Sequence, residues 1–233
     1  MTRHLRGIYA ILNDPLMTSE HFLAAVEGAL AGGVQLLQYR NKAVATQPDD
    51  RTVAIGCELL DLCKQYQVPL LINDDLEFCA EIGAQGVHLG QRDVDCSYAR
   101  ARLGPEAIIG ITCHDSLTLA QTAASDGADY VAFGSFFPSV TKPEAAPAAL
   151  DTLSKARKQL DIPLVAIGGI NADNGGSLIE AGANMLAVSH GLFGELDQSN
   201  VEDIRQHVKQ RAEHLTALFT RQVGAGARSS NII

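Results

Sequence analysis

In the run Gln38-Tyr39-Arg40-Asn41-Lys42, the first, third and fifth side chains share one face if the chain there is extended, because side chains alternate along a strand. An amide and two cations on one face suit an anion. Arginine can grip a phosphate through two parallel N–H bonds, and lysine adds a point charge. A second donor set lies in Pro138-Ser139-Val140-Thr141-Lys142, where two hydroxyls and an ammonium stand at i, i+2 and i+3. Pro138, Pro143 and Pro147 restrict the unfolded freedom of that stretch. Carboxylates occur in Asn73-Asp74-Asp75 and in Gly90-Gln91-Arg92-Asp93. Mg²⁺ usually takes one or two carboxylates together with water and substrate phosphate, so Asp74 and Asp93 are the expected ligands. Asp75 is expected to face outward or to cap the helix that follows. Thr112 could donate a hydrogen bond to a phosphate oxygen. His114 could act as an acid or base, or simply sit in a loop. Each segment taken alone also reads as an ordinary solvated loop, turn or cap.

Bringing such distant segments together requires a scaffold. Short apolar runs occur at 7–12, 34–40, 69–73, 86–89, 107–112, 129–134, 163–168 and 185–189, with helix-period segments between them. Phe22, Val26, Ala29 and Leu30 share one helix face. Val201, Ile204, Val208, Leu215 and Leu218 share another. Near-continuous apolar strands suit a parallel sheet covered by helices. The fold expected is therefore an α/β, single-domain (β/α)8 TIM barrel over residues 1–221. A weak repeat supports closure: helix ends containing Gly33, Gly83, Gly127 and Gly182 precede every second strand, and these glycines read as left-handed C-caps. Residues 135–147 form a loop long enough to be a lid, and residues 222–233 read as a disordered tail.

In a barrel the polar residues named above fall at the C-terminal strand ends, where barrel enzymes carry their chemistry. Gly168-Gly169-Ile170-Asn171 and Val188-Ser189-His190-Gly191 follow the last two strands, the recurrent phosphate site of such barrels. Glycines there let backbone N–H groups approach an anion. His88 lies within a strand and reads as a hydrogen-bonded interior residue.

Composition narrows the partners. The chain has 233 residues, 46% of them hydrophobic and 19% charged, with a net charge of −9. An acidic surface argues against nucleic acid, whose phosphates are held by clustered Lys and Arg. Any anionic substrate must find a local basic pocket. No apolar run approaches the ~20 residues that span a bilayer, and no membrane partner or secretory leader is expected. Five scattered cysteines read as reduced, mostly buried thiols of a cytoplasmic protein. Nothing in the sequence speaks against a homo-oligomer.

The segments QYRNK, LLINDD, GVHLGQRD, GITCHD, DYVAFGSFFPSVTK, PLVAIGGIN and LAVS run in this order over almost the whole chain apart from the tail. As an ordered set they resemble the thiamine phosphate synthase family. The resemblance implies a transferase with two small-molecule substrates, a pyrimidine diphosphate and a thiazole phosphate. Such enzymes join 4-amino-5-hydroxymethyl-2-methylpyrimidine diphosphate to 4-methyl-5-(2-phosphoethyl)thiazole and release pyrophosphate and thiamine phosphate. It further implies that Gln38, Arg40 and Lys42 hold the pyrimidine diphosphate, with Asn73 nearby, and that Asp74 and Asp93 bind Mg²⁺. Thr112, where the family usually has serine, would contact the pyrimidine. Ser139, where threonine is common, and Thr141 would bind the thiazole phosphate, and Lys142 the diphosphate. Gly169, Val188 and Ser189 would cradle the thiazole phosphate through backbone groups. Arg40, Lys42, Thr112 and Lys142 would carry catalysis. Three other readings stand beside this one: a thiazole tautomerase using His114 as proton shuttle, a non-catalytic phosphate sensor, and another phosphate-using barrel isomerase acting on one substrate without Mg²⁺.

Overall fold

Eight parallel strands close into a barrel in the order β1-β2-β3-β4-β5-β6-β7-β8 in this computed structural model, which describes residues 5–13, 19–41, 48–138, 148–196 and 200–226. The elements run β1 (Gly7–Asn13), α1 (Ser19–Ala31), β2 (Leu36–Arg40), α2 (Asp50–Gln65), β3 (Leu70–Asn73), α3 (Leu76–Ile82), β4 (Gly86–Leu89) and α4 (Cys96–Leu103). They continue with β5 (Ile108–His114), α5 (Leu117–Ser125), β6 (Tyr130–Phe133), α6 (Leu150–Arg157), β7 (Leu164–Ile167), α7 (Gly175–Glu180), β8 (Met185–Val188), α8 (His190–Phe193) and α9 (Val201–Gly226). All eight expected strands form, each within a few residues of its expected limits. The last helix continues to Gly226, beyond position 222 where the tail was expected to begin, and 227–233 lie outside the described residues.

Alternation divides each strand between two cores. Tyr9, Ile11, Leu36, Leu71, Ile108, Tyr130, Val165 and Met185 fill the barrel interior. Ile8, Leu37, Ile72, Val87, Ile109, Val131, Leu164 and Leu186 point outward, where helices cover them. The two helix faces read from periodicity contribute Phe22, Val26, Ala29, Ile204, Val208 and Leu215 to this outer core.

The weak repeat has a structural cause. Gly33, Gly83, Gly127 and Gly182 all adopt positive φ at helix ends. A polar residue follows each closely, and its backbone N–H bonds to the preceding odd-numbered strand: Gln35 to the Ile8 carbonyl, Gln85 to Leu70, Asp129 to Ile109 and Asn184 to Leu164. Three of these side chains bond back as well, accepting from the N–H groups of Leu70, Ile109 and Leu164. Each unit thus satisfies backbone groups at the barrel's N-terminal end and leaves the other end for loops.

Inside, Gly110 lies level with Tyr130 on the next strand. A Cβ at Gly110 would stand 1.9 Å from Tyr130 Cζ. Gly110→Ala is therefore expected to cost at least about 1–3 kcal/mol by overpacking. In a chain this size each kcal/mol is roughly 2–4 °C of melting temperature. A thermal melt matching the parent's contradicts this.

Candidate active site

The C-terminal mouth gathers the polar strand ends. Gln38 and Arg40 follow Leu36 on the inward face of β2, as alternation requires. Gln38 is 2% exposed, and its amide donates to the Tyr9 hydroxyl. Arg40 is half-buried and donates from Nη1 to Asn13 Oδ1 at 2.7 Å. Asn13 in turn donates to Ser189 Oγ at 2.8 Å. A side-chain bridge therefore runs from β2 across β1 to the residue after β8. Burial lowers the Arg40 guanidinium's pKa from its ordinary value, and the Asp74 carboxylate, close enough to act on it, pulls it back up. Arginine stays charged through such shifts, so this is a desolvated cation beside a carboxylate.

Asp74 follows β3 with φ +62, a left-handed conformation that Asp tolerates better than most residues. Its N–H bonds to the His88 carbonyl at 2.9 Å, which fixes it against the end of β4. Two residues beyond His88, the Gly90 N–H donates to Asp93 Oδ2 at 2.6 Å. Asp93 is thus a turn residue, with Oδ1 left unbonded among the described residues. Asp75, as expected, caps α3 by accepting from Phe78 N at 2.8 Å. Asn73 is half-buried at the end of β3, level with His88. No cluster of three or more His, Cys, Asp or Glu stands ready for a metal among the described residues. Two carboxylates on adjacent mouth loops match the sparse protein ligation of Mg²⁺ better than that of a metal needing a full protein cage.

Thr112 accepts or donates across 2.8 Å to His88 Nε2, and its carbonyl accepts from Gln91 Nε2 at 2.6 Å. A bulge follows, and His114 closes β5 with φ +53, exposed and without a side-chain hydrogen bond among the described residues. It lies in the strand rather than the loop, because the bulge extends the pairing with Phe133.

On the far side, Gly169 has φ +60, and a Cβ there would stand 2.3 Å from the Pro138 carbonyl. Only glycine lets β7's exit pass so close to the segment leaving β6. The N–H groups of Phe136 and Phe137 bond to the carbonyls of Ile167 and Gly168, each at 3.1 Å, and anchor the start of the 135–147 loop on β7. Asn174 Nδ2 holds the Gly169 carbonyl at 2.9 Å. Val188 is buried in the outer core, so any ligand contact it makes must use its backbone. Ser189 is half-buried and precedes the short helix α8. The structure brings Gln38, Arg40, Asn73, Asp74, Asp93, Thr112, Gly169, Val188 and Ser189 to one end of the barrel. Lys42, Ser139, Thr141 and Lys142 lie outside the described residues.

Residues 8–192 match the family described as thiamine monophosphate synthase. The chain belongs to that family. A thiamine-phosphate synthase of Marinobacter nauticus is 52% identical over 188 residues, 81% of this chain and 83% of that protein. One of Nitrosospira multiformis is 45% identical over 220 residues, 94% of this chain and 88% of that protein. Among solved structures, a thiamine phosphate pyrophosphorylase from Pyrococcus furiosus superposes with a TM-score of 0.71 at 31% identity, covering 89% of this chain and 96% of that one. The barrel also holds residues that reading by motif passed over. Asn13 lies one position past the expected limit of the first strand and ends β1. Tyr9 and Tyr130 lie within expected strands and were not singled out there. Alternation puts all three on the inward face, the one signal that could have flagged them.

Proposed function

We propose that this chain is a transferase that joins 4-amino-5-hydroxymethyl-2-methylpyrimidine diphosphate to 4-methyl-5-(2-phosphoethyl)thiazole, releasing pyrophosphate and giving thiamine phosphate. The observation that carries the reading is the bridge from Arg40 through Asn13 to Ser189. It ties the strand that would hold the diphosphate to the exit of β8 that would hold the thiazole phosphate, so the two proposed subsites share one set of side-chain bonds. Family membership over residues 8–192 supports it.

In this reading the bond between the pyrimidine's exocyclic carbon and the diphosphate oxygen breaks, and its electron pair leaves with pyrophosphate. The 4-amino group feeds electron density into the ring and spreads the resulting positive charge. The thiazole nitrogen then donates its lone pair to that carbon. No proton moves, so no general base is required. The demand on the protein is to stabilise negative charge developing on the leaving group. Arg40, Lys42 and Lys142 would meet it, and Gln38, Asn73 and Thr112 would orient the pyrimidine. Gly169, Val188 and Ser189, with Ser139 and Thr141, would hold the thiazole phosphate. Asp74 and Asp93 would hold Mg²⁺, which when bound supplies positive charge to the diphosphate. Residues 139–147 of the 135–147 loop lie outside the described residues; the expectation from the sequence is that this loop covers the site and excludes water that competes for the cation.

The test supplies both substrates with Mg²⁺ and follows pyrophosphate. Its release only when both substrates are present, with formation of thiamine phosphate, is expected. Isomerisation of the thiazole with no pyrophosphate release would instead indicate a tautomerase. Binding without turnover would indicate a sensor.

A further inference from the structure

Beneath the mouth, five side chains from five strands form one continuous hydrogen-bonded line. Gln38 Nε2 donates to the Tyr9 hydroxyl. Tyr9 and Tyr130 share a bond of 2.8 Å between their hydroxyls. Tyr130 meets His88 Nδ1 at 2.8 Å, and His88 Nε2 meets Thr112 Oγ1 at 2.8 Å. The rings are fixed: His88 stacks on Tyr130 at 14° and 5.7 Å, and Tyr9 stands edge-on to Tyr130 at 84°. Gly110 makes the room Tyr130 occupies. None of these buried polar atoms is left without a partner. Burial keeps both phenols protonated by raising their pKa values.

The donor inventory restricts how such a line can be arranged. Each tyrosine has one hydroxyl proton, and a neutral imidazole has one N–H. With Gln38 donating, Tyr9 must pass its proton toward Tyr130, or that proton is buried unbonded. Tyr130 must then donate to His88 Nδ1, and His88 donates from Nε2 to Thr112. The bonds all run one way. Two ends remain: the Gln38 carbonyl oxygen, unbonded among the described residues, and the Thr112 hydroxyl proton. Turning the Gln38 amide over would reverse every bond and exchange both roles.

We infer that Tyr9, Tyr130 and His88 are positioning residues. Acting through Gln38 and Thr112, they make Gln38 an acceptor and Thr112 a donor toward the pyrimidine. That pattern reads an aminopyrimidine, whose amino group donates beside a ring nitrogen that accepts. It rejects the 4-oxo analogue, whose carbonyl accepts beside a ring N–H that donates. Discrimination of this kind is strong because a mismatch strands polar groups out of water. The inference rests on the proposed reading that Gln38 and Thr112 face the pyrimidine.

The test measures binding of the 4-amino and 4-oxo pyrimidine diphosphates with Mg²⁺ and without thiazole phosphate, alongside inorganic pyrophosphate as a probe of the phosphate site alone. The parent should prefer the amino compound by at least ~10-fold, the scale of one stranded buried group. In Tyr130→Phe that preference should fall by roughly the same factor while pyrophosphate binding is unchanged. An unchanged preference in a folded Y130F overturns the inference. So does a parent that binds both compounds equally. A parent that binds pyrophosphate but neither pyrimidine overturns the site reading as well. If Y130F does not fold, ¹⁵N-histidine spectra of the parent with the amino compound decide, His88 being assigned by loss of its signal in His88→Gln. A neutral ring protonated on Nε2 is expected. A ring protonated on Nδ1, or on both nitrogens at neutral pH, overturns the inference.

Discussion

Arg40→Ala should lower turnover by at least ~10²-fold with little change in melting temperature. Losing one preorganised charge-stabilising group has about this effect. The structure explains why Arg40 is preorganised. Its guanidinium is half-buried and tied to Asn13, which is itself tied to Ser189, so few rotamers remain open to it. Burial also strengthens its pull on a developing anion, since water screens it less. The opposing charge is Asp74, whose field acts on Arg40 directly. Arg40→Lys should recover only part of the loss, because an ammonium can neither fork onto a phosphate nor replace the bond to Asn13. Lys142→Ala should fall by a similar factor, although Lys142 lies outside the described residues. Steady-state pyrophosphate release checks both, and near-normal rates in both variants would count heavily against the assignment.

Chelation should produce the second large effect: excess EDTA should stop pyrophosphate release, and added Mg²⁺ should restore it. The argument starts from repulsion. The chain carries a net charge of −9, and Asp74 and Asp93 stand on adjacent loops at the mouth that would receive a diphosphate. Without a divalent cation these carboxylates oppose the substrate's own charge. Asp74 already acts on Arg40, so Arg40 alone would not neutralise both that carboxylate and a bound diphosphate. Asp74→Asn should weaken the dependence on Mg²⁺ concentration as well as the rate. Turnover persisting in excess EDTA would remove this part of the proposal.

How much was legible without coordinates differs from residue to residue. Gln38 and Arg40 were readable because period-two alternation places them on one strand face. Asp75 was readable as a cap because Asp before a helix bonds its third N–H. Gly33, Gly83, Gly127 and Gly182 were legible as helix ends, though the N–H bonds made by the residues after them were not. His88 read correctly as an interior hydrogen-bonded residue, without its partners. His114 was placed in a loop because a bulge that lengthens β5 leaves no mark in composition.

By itself the sequence determined the class of fold, the succession of its strands and, for β2, the residues that share one face. Apolar periodicity and glycine punctuation are local, and a closed parallel barrel is the arrangement that satisfies them all at once. Its motifs also carried the family, which the match over residues 8–192 bears out. What only the tertiary structure decided is which inward residues meet. Tyr9 and Tyr130 are 121 positions apart, and Asn13 and Ser189 are 176 apart. Their contacts follow from barrel closure and strand register. Those are properties of the whole sheet, so no local pattern around Tyr9 or Asn13 encodes them.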